Sequence, residues 1–159
     1  MKKTFYLLLL LLIPSMLIAQ DSYLCTRVVD GDTIIIEIDG KQERVRLIGV
    51  DTPETKHPKK PVEDFGHEAS VFTTRLVEGK KVTLEYDQEK RDKYGRLLAY
   101  VYLENGKFLN AEIIERGYGF AYTRFPFKHL DDFRQYEYDA RLNGRGLWKN
   151  KYFYKKQLL

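Results

Sequence analysis

From residue 23 onward, short apolar runs alternate with turn residues, which is the signature of a small, mainly β domain. Residues 23–29 are apolar and β-branched and predict a first strand, followed by the turn Asp30-Gly31-Asp32. Residues 33–38, Thr-Ile-Ile-Ile-Glu-Ile, predict a second strand. Asp39-Gly40 behind them is a strong hairpin signal, because a two-residue hairpin turn favours residues that tolerate positive φ. Residues 43–50 alternate, with Val45, Leu47 and Gly49 on one face and Arg44, Arg46 and Ile48 on the other. They predict a third strand that runs up to Thr52-Pro53, where proline stops the ladder. The three segments make an antiparallel meander.

Residues 56–61 carry two prolines and three lysines and predict a solvated loop. Residues 62–77 predict a helix, with Pro61 at its start, Glu63 and Asp64 near its positive end and Gly79 as its stop. Its expected inward stripe is Val62, Phe65, Ala69, Phe72 and Leu76. Residues 81–86 and 97–103 predict the fourth and fifth strands, joined by a charged connection with Tyr94-Gly95 at its tip. Asn105-Gly106 marks another tight turn. Residues 108–116 predict a short helix closed by Gly117. Residues 130–142 predict a last helix with Leu130, Phe133, Tyr136 and Ala140 inward, stopped at Asn143-Gly144. Trp148 reads as a core plug. The order fits an α+β, mainly β class: a five-stranded barrel of OB type with three packed helices. An open α+β sheet is the alternative.

The first residues change the picture of where the chain works. Lys2 and Lys3 precede an apolar run from Phe5 to Ala19 that Pro14 and Ser15 interrupt. It is short of the roughly 20 residues a spanning helix needs. Residues 1–19 therefore read as a signal peptide cleaved near Ala19–Gln20, with export to the medium or the periplasm and no membrane attachment afterwards. An uncleaved anchor is the other reading. Residues 20–150 make one domain and residues 151–159 a tail without assignment. A single cysteine, Cys25, excludes an intrachain disulfide and a thiolate cluster, and its apolar neighbours place it in the core. The formal charge is +4, of which Lys2 and Lys3 supply two units. Any attraction to phosphate must therefore come from local placement rather than from a global field.

Two motifs carry the candidate chemistry: Asp30-Gly31-Asp32-Thr33, and Arg46 through Asp51-Thr52-Pro53-Glu54. Both fall where the meander folds back, so their carboxylates can meet. Asp32 and Asp51 with a backbone carbonyl suit a hard divalent cation such as calcium. Neither motif contains histidine or cysteine, and His57, His67 and His129 are scattered, which argues against zinc. Taken singly, Asp32 also fits ordinary turn chemistry and Asp51 a polar strand end. Glu54 suits a group that positions or deprotonates a water. Arg46 lies mid-strand, where a guanidinium is costly without an anionic partner, and planar recognition of a phosphate fits it. Arg96 can approach from the opposite side.

With Asp92-Lys93-Tyr94-Gly95-Arg96-Leu97-Leu98-Ala99-Tyr100 and Gly146-Leu147-Trp148 added, the chain resembles the staphylococcal nuclease (thermonuclease) family over residues 23–148. The resemblance implies a calcium-dependent phosphodiesterase acting on DNA and RNA and leaving 3′-phosphate products. It implies that Asp32, Asp51 and the Thr52 carbonyl hold calcium. It also implies that Glu54 positions or activates water, that Arg46 and Arg96 hold the phosphate, and that Lys93 and Tyr94 touch the neighbouring phosphate. The stretch Tyr122-Thr123-Arg124-Phe125 departs from the tyrosines that the family sets beside the base, and the turn at residues 103–106 is one residue longer. DNA and RNA are the expected partners of a monomer that needs no stable protein partner. The competing reading is a non-catalytic OB-fold module that binds single-stranded nucleic acid through aromatics and basic grooves. A surface or scaffold protein with a vestigial site is the third.

Overall fold

The computed structural model describes residues 21–54 and 65–149. The expected signal peptide, the loop at 56–61, the helix start at 62–64 and the tail at 151–159 lie outside the described residues.

Strand β1 (Ser22–Asp30) pairs antiparallel with β2 (Thr33–Ile38), and β2 with β3 (Lys41–Leu47). The β1–β2 register shifts twice, between Cys25 and Arg27 and between Val28 and Asp30. Such bulges bend a strand. The bend lets the first half of β1 also pair with β5 (Lys81–Glu85), through Tyr23↔Val82 and its neighbours. The Val28 amide, at the bulge, donates to Glu78 Oε2 at 2.8 Å. Strand β6 (Leu97–Leu103) pairs antiparallel with β5 and parallel with β3, closing a barrel in the order β1-β2-β3-β6-β5. This is the expected α+β barrel of OB type with three helices, and the open sheet is excluded.

The barrel interior is filled by Ile34, Ile36, Val45, Leu47, Val82, Leu97, Ala99 and Val101, all buried. Cys25 is also fully buried, and burial pushes its thiol up to about 11, so it is an inert small hydrophobe. Helix α1 (Gly66–Val77) packs on β1, and α2 (Leu109–Glu115) lies between the barrel and α3 (Leu130–Leu142). Leu147 and Trp148, on a 3-10 turn at Gly146–Lys149, cover a second small cluster with Ala140.

Two expectations need correction. The third strand does not run to Val50: β3 stops at Leu47, and Val50–Asp51 is a separate strand, β4, paired with β7 (Phe120–Ala121). The break is Gly49, at φ 73°, where a Cβ would stand 2.6 Å from Phe127 Cζ. The buried stripe of α1 is Gly66, Ala69, Thr73 and Val77, while Phe72 and Leu76 are only partly buried. A fully buried threonine hydroxyl breaks the apolar stripe, which is why counting apolar positions misplaced it.

Candidate active site

The turn between β1 and β2 carries Asp30 and Asp32, and three elements fix it. The Asp32 amide bonds back to Asp30 Oδ1 at 3.3 Å, an Asx-type turn. The Thr73 hydroxyl on α1 donates to the Gly31 carbonyl at 2.7 Å. Gly31 itself lies so close to Thr52 that a Cβ there would meet the Thr52 side chain at 2.8 Å. Asp32, only 6% exposed, accepts at Oδ2 from the Thr52 amide (3.0 Å) and hydroxyl (3.3 Å), and at Oδ1 from the Thr33 hydroxyl (3.1 Å). Turn and β4 are thus locked face to face.

Strand β4 is held from its other side. The Tyr122 amide donates to Gly49 O at 2.9 Å, and Asn110 on α2 donates to Ile48 O at 2.9 Å while accepting from the Val101 amide at 3.0 Å. The result is a cleft with about 420 Å³ of open space, lined by Asp30, Asp32, Thr33, Arg46, Asp51, Thr52, Pro53, Glu54 and Arg96. Six of the eight expected site residues, Asp32, Arg46, Asp51, Thr52, Glu54 and Arg96, meet there.

Arg46 reaches in from β3 and sits between the acidic groups. Its Nη2 donates to Asp51 Oδ1 at 3.1 Å and its Nη1 forms an ion pair with Asp32 Oδ1. Burial lowers the guanidinium from its ordinary value, against the pull of Asp51 and Asp30, and the like charge of Arg96 adds to the lowering. It still stays protonated at neutral pH. Burial also pushes the Asp30 carboxyl above the usual carboxylate range, against the Arg46 charge, its hydrogen bonds with Thr33 and the Arg96 charge.

Arg96 arrives from the 87–96 connection, shaped by Asp92, which heads its motif but had no role assigned from the sequence. Asp92 Oδ1 accepts from the Tyr94 amide (2.9 Å) and the Arg96 amide (3.0 Å), while Oδ2 accepts from Arg96 Nε at 2.7 Å. The Arg96 guanidinium lies 5.5 Å from the Tyr94 ring centroid, with Lys93 Nζ 5.1 Å from the same ring. Lys93 and Tyr94 stand outside the cleft lining, on its rim, and Tyr94 is 73% exposed. Asp30, the other omission, was visible in the Asp-Gly-Asp motif. Thr73 and Asn110 act through long-range hydrogen bonds that no local pattern announces, whereas Asp92 bonds two and four residues on, inside the turn its own motif marks.

The donor set fits a hard dication. Every acidic or neutral donor in the cleft is an oxygen, and four carboxylates face two guanidiniums, so a divalent charge restores balance. Among the described residues no three His, Cys, Asp or Glu side chains are grouped so as to hold a metal ion by themselves. An ion there would need further oxygens, and any ion on Asp32 would share that carboxylate with Arg46.

A family model described as Staphylococcal nuclease homologue matches residues 44–150. Over 132 residues the chain is 43% identical to a thermonuclease of Staphylococcus hyicus, covering 82% of this chain and 78% of that protein. It is 56% identical over 97 residues to a thermonuclease of Staphylococcus intermedius, covering 61% and 57%. It is also 42% identical over 125 residues to endonuclease YncB of Bacillus subtilis (strain 168), covering 77% and 59%. The match thus spans under two thirds of the length of the latter two relatives. The barrel, the cleft and these likenesses agree: this chain belongs to the staphylococcal nuclease family. The named relatives support a hydrolytic nuclease.

Proposed function

We propose that this protein is an exported, calcium-dependent nuclease that hydrolyses phosphodiester bonds in DNA and RNA and leaves 3′-phosphate products. The observation that carries the reading is the convergence of Asp32, Asp51, Glu54, Arg46 and Arg96 on one cleft. A module that only binds single strands has no use for acidic groups at that spot, since they repel phosphate.

Asp32, Asp51 and the Thr52 carbonyl are the proposed calcium ligands. Bound calcium supplies fixed positive charge beside the scissile phosphate and offsets the acidic cleft. Arg46 and Arg96 grip the non-bridging oxygens and stabilise the charge that grows on them in the transition state. Glu54 orients a water and takes its proton as the water oxygen attacks phosphorus. The bond from phosphorus to the 5′ oxygen then breaks, the departing 5′ oxygen keeps the bonding pair and takes a proton from solvent to become a hydroxyl, and the phosphate stays on the 3′ side. Lys93 and Tyr94 on the rim contact the neighbouring phosphate.

Residues 1–19 are proposed as the export signal and 20–150 as the nuclease domain, acting as a monomer. Amino-terminal sequencing of the secreted protein tests the first point, with a start at Gln20 expected and a start at Met1 against it. For the reaction, purified protein is incubated with DNA and RNA in calcium, and the product ends are mapped. Both polymers should be cut with phosphatase-sensitive 3′ ends. Retained binding without cleavage would favour the non-catalytic module.

A further inference from the structure

We infer that the Glu43–Arg91 ion pair is a positioning device that fixes the Arg96 turn against the strand carrying Arg46. The inference rests on the nuclease reading above. Arg91 uses its whole fork: Nη1 donates to Glu43 Oε2 at 2.9 Å and Nη2 to Glu43 Oε1 at 3.0 Å, while Nη1 also donates to the Gly95 carbonyl at 2.7 Å. Glu43 lies on β3, three residues before Arg46, and Gly95 immediately precedes Arg96. One side chain therefore touches both segments that bring guanidiniums to the cleft.

The location gives the pair its leverage. The β3–β6 ladder is parallel and short, ending at Val45↔Leu97. Glu43 and Arg91 lie just beyond that end, where the barrel seam opens toward solvent. The Arg91 backbone bridges to Leu97, and the Leu98 amide donates to Lys90 O at 2.9 Å, so Arg91 is itself tied to the start of β6. Asp92 shapes the turn from within, while Arg91 anchors it to the barrel from outside. Arg91 is 47% exposed and Glu43 29%. Pairs this open contribute little to global stability, so the role should register in turnover rather than in melting.

The test compares wild type with Arg91→Gln, Glu43→Gln, the double variant and Arg91→Lys on single-stranded DNA in calcium. Each glutamine variant should lose on the order of tenfold in kcat with KM held within about twofold, because small misplacements of a charge-stabilising group fall on the transition state. The double variant should be no worse than the poorer single one. Arg91→Lys should recover part of the loss, since it keeps the charge without the fork. Melting temperatures should agree within about 2 °C. In Arg91→Gln the Gly95 and Arg96 amides should exchange with solvent faster while the barrel strands do not change. An unaltered kcat in either single variant, or losses that multiply in the double, overturns the inference. Inactive wild type would overturn the nuclease reading alone, and unchanged amide exchange would still overturn the clip.

Discussion

The Thr73 hydroxyl, in the middle of α1, donates to the Gly31 carbonyl at 2.7 Å, and both groups are buried. A helix on one side of the barrel is thereby wired to the turn that presents Asp30 and Asp32. Thr73→Val keeps the shape and deletes the donor, leaving a buried carbonyl unsatisfied. The expected cost is about 1–3 kcal/mol in urea melts, together with weaker calcium binding by calorimetry. Thr73→Ser should retain most of both.

Arg46 is paired with Asp32 and Asp51, and the proposed reaction asks it to hold the phosphate as well. Arg46→Met removes a positive charge next to the proposed ion. Calcium should then bind about 1–2 kcal/mol more tightly by calorimetry, while turnover falls by about 3–4 kcal/mol in the barrier. Melting in chelator should drop, because Asp32 and Asp51 lose their counter-charge, and added calcium should raise it by more than in wild type. Parallel loss of calcium affinity and turnover would contradict this division of roles.

Asp92 ties pH to the Arg96 turn. Burial raises its carboxyl, but the bonds from the Arg96 side chain and from the Arg96 and Tyr94 amides, with the Arg96 charge, bring it below the usual carboxylate range. A lowered folded value means the contribution is complete above the unfolded value, about 3.9, and is lost as pH falls through the folded one. The hydrogen bond from Lys128 lowers Glu85 and that from Tyr100 lowers Asp87, so they act in the same window. Stability should decline in acid below about pH 4. Asp92→Asn should flatten part of that decline in a pH series of melts; an unchanged profile would remove Asp92 from it.

Gly49 permits the kink that separates β3 from β4. At φ 73°, with Phe127 Cζ 2.6 Å and Phe133 Cδ2 2.9 Å from a would-be Cβ, alanine is both strained and crowded. Gly49→Ala should cost about 2–4 kcal/mol in urea melts. It should also displace Asp51, two residues on, so calcium binding weakens with stability.

The same residue explains where the sequence was readable and where it was not. Strands at Thr33–Ile38 and Leu97–Leu103 are apolar runs bounded by turn residues, and the helix at Leu130–Leu142 is long enough for its apolar spacing to show. The pairing of β4 with β7 is two residues long on each side and leaves no periodic trace. The apolar character of Ile48 and Val50 runs straight through the Gly49 break, which made the third strand look too long. In the site, Arg46 stood out because a charge in mid-strand needs a partner, and the acidic residues stood out because they share two short motifs. Their organisers did not. Thr73 and Gly31 are 42 residues apart, and Arg91 and Glu43 are 48 apart, so only the closed barrel reveals what each holds.

The most direct test is one time course of DNA hydrolysis by purified protein, run in calcium and again with a chelator in excess, with Arg46→Met and Arg96→Met alongside. Cleavage in calcium, none in chelator, and a loss of roughly 10²–10³-fold in each arginine variant is the expected result. Cleavage that persists in chelator, or variants that cut at the wild-type rate, would contradict the central claim.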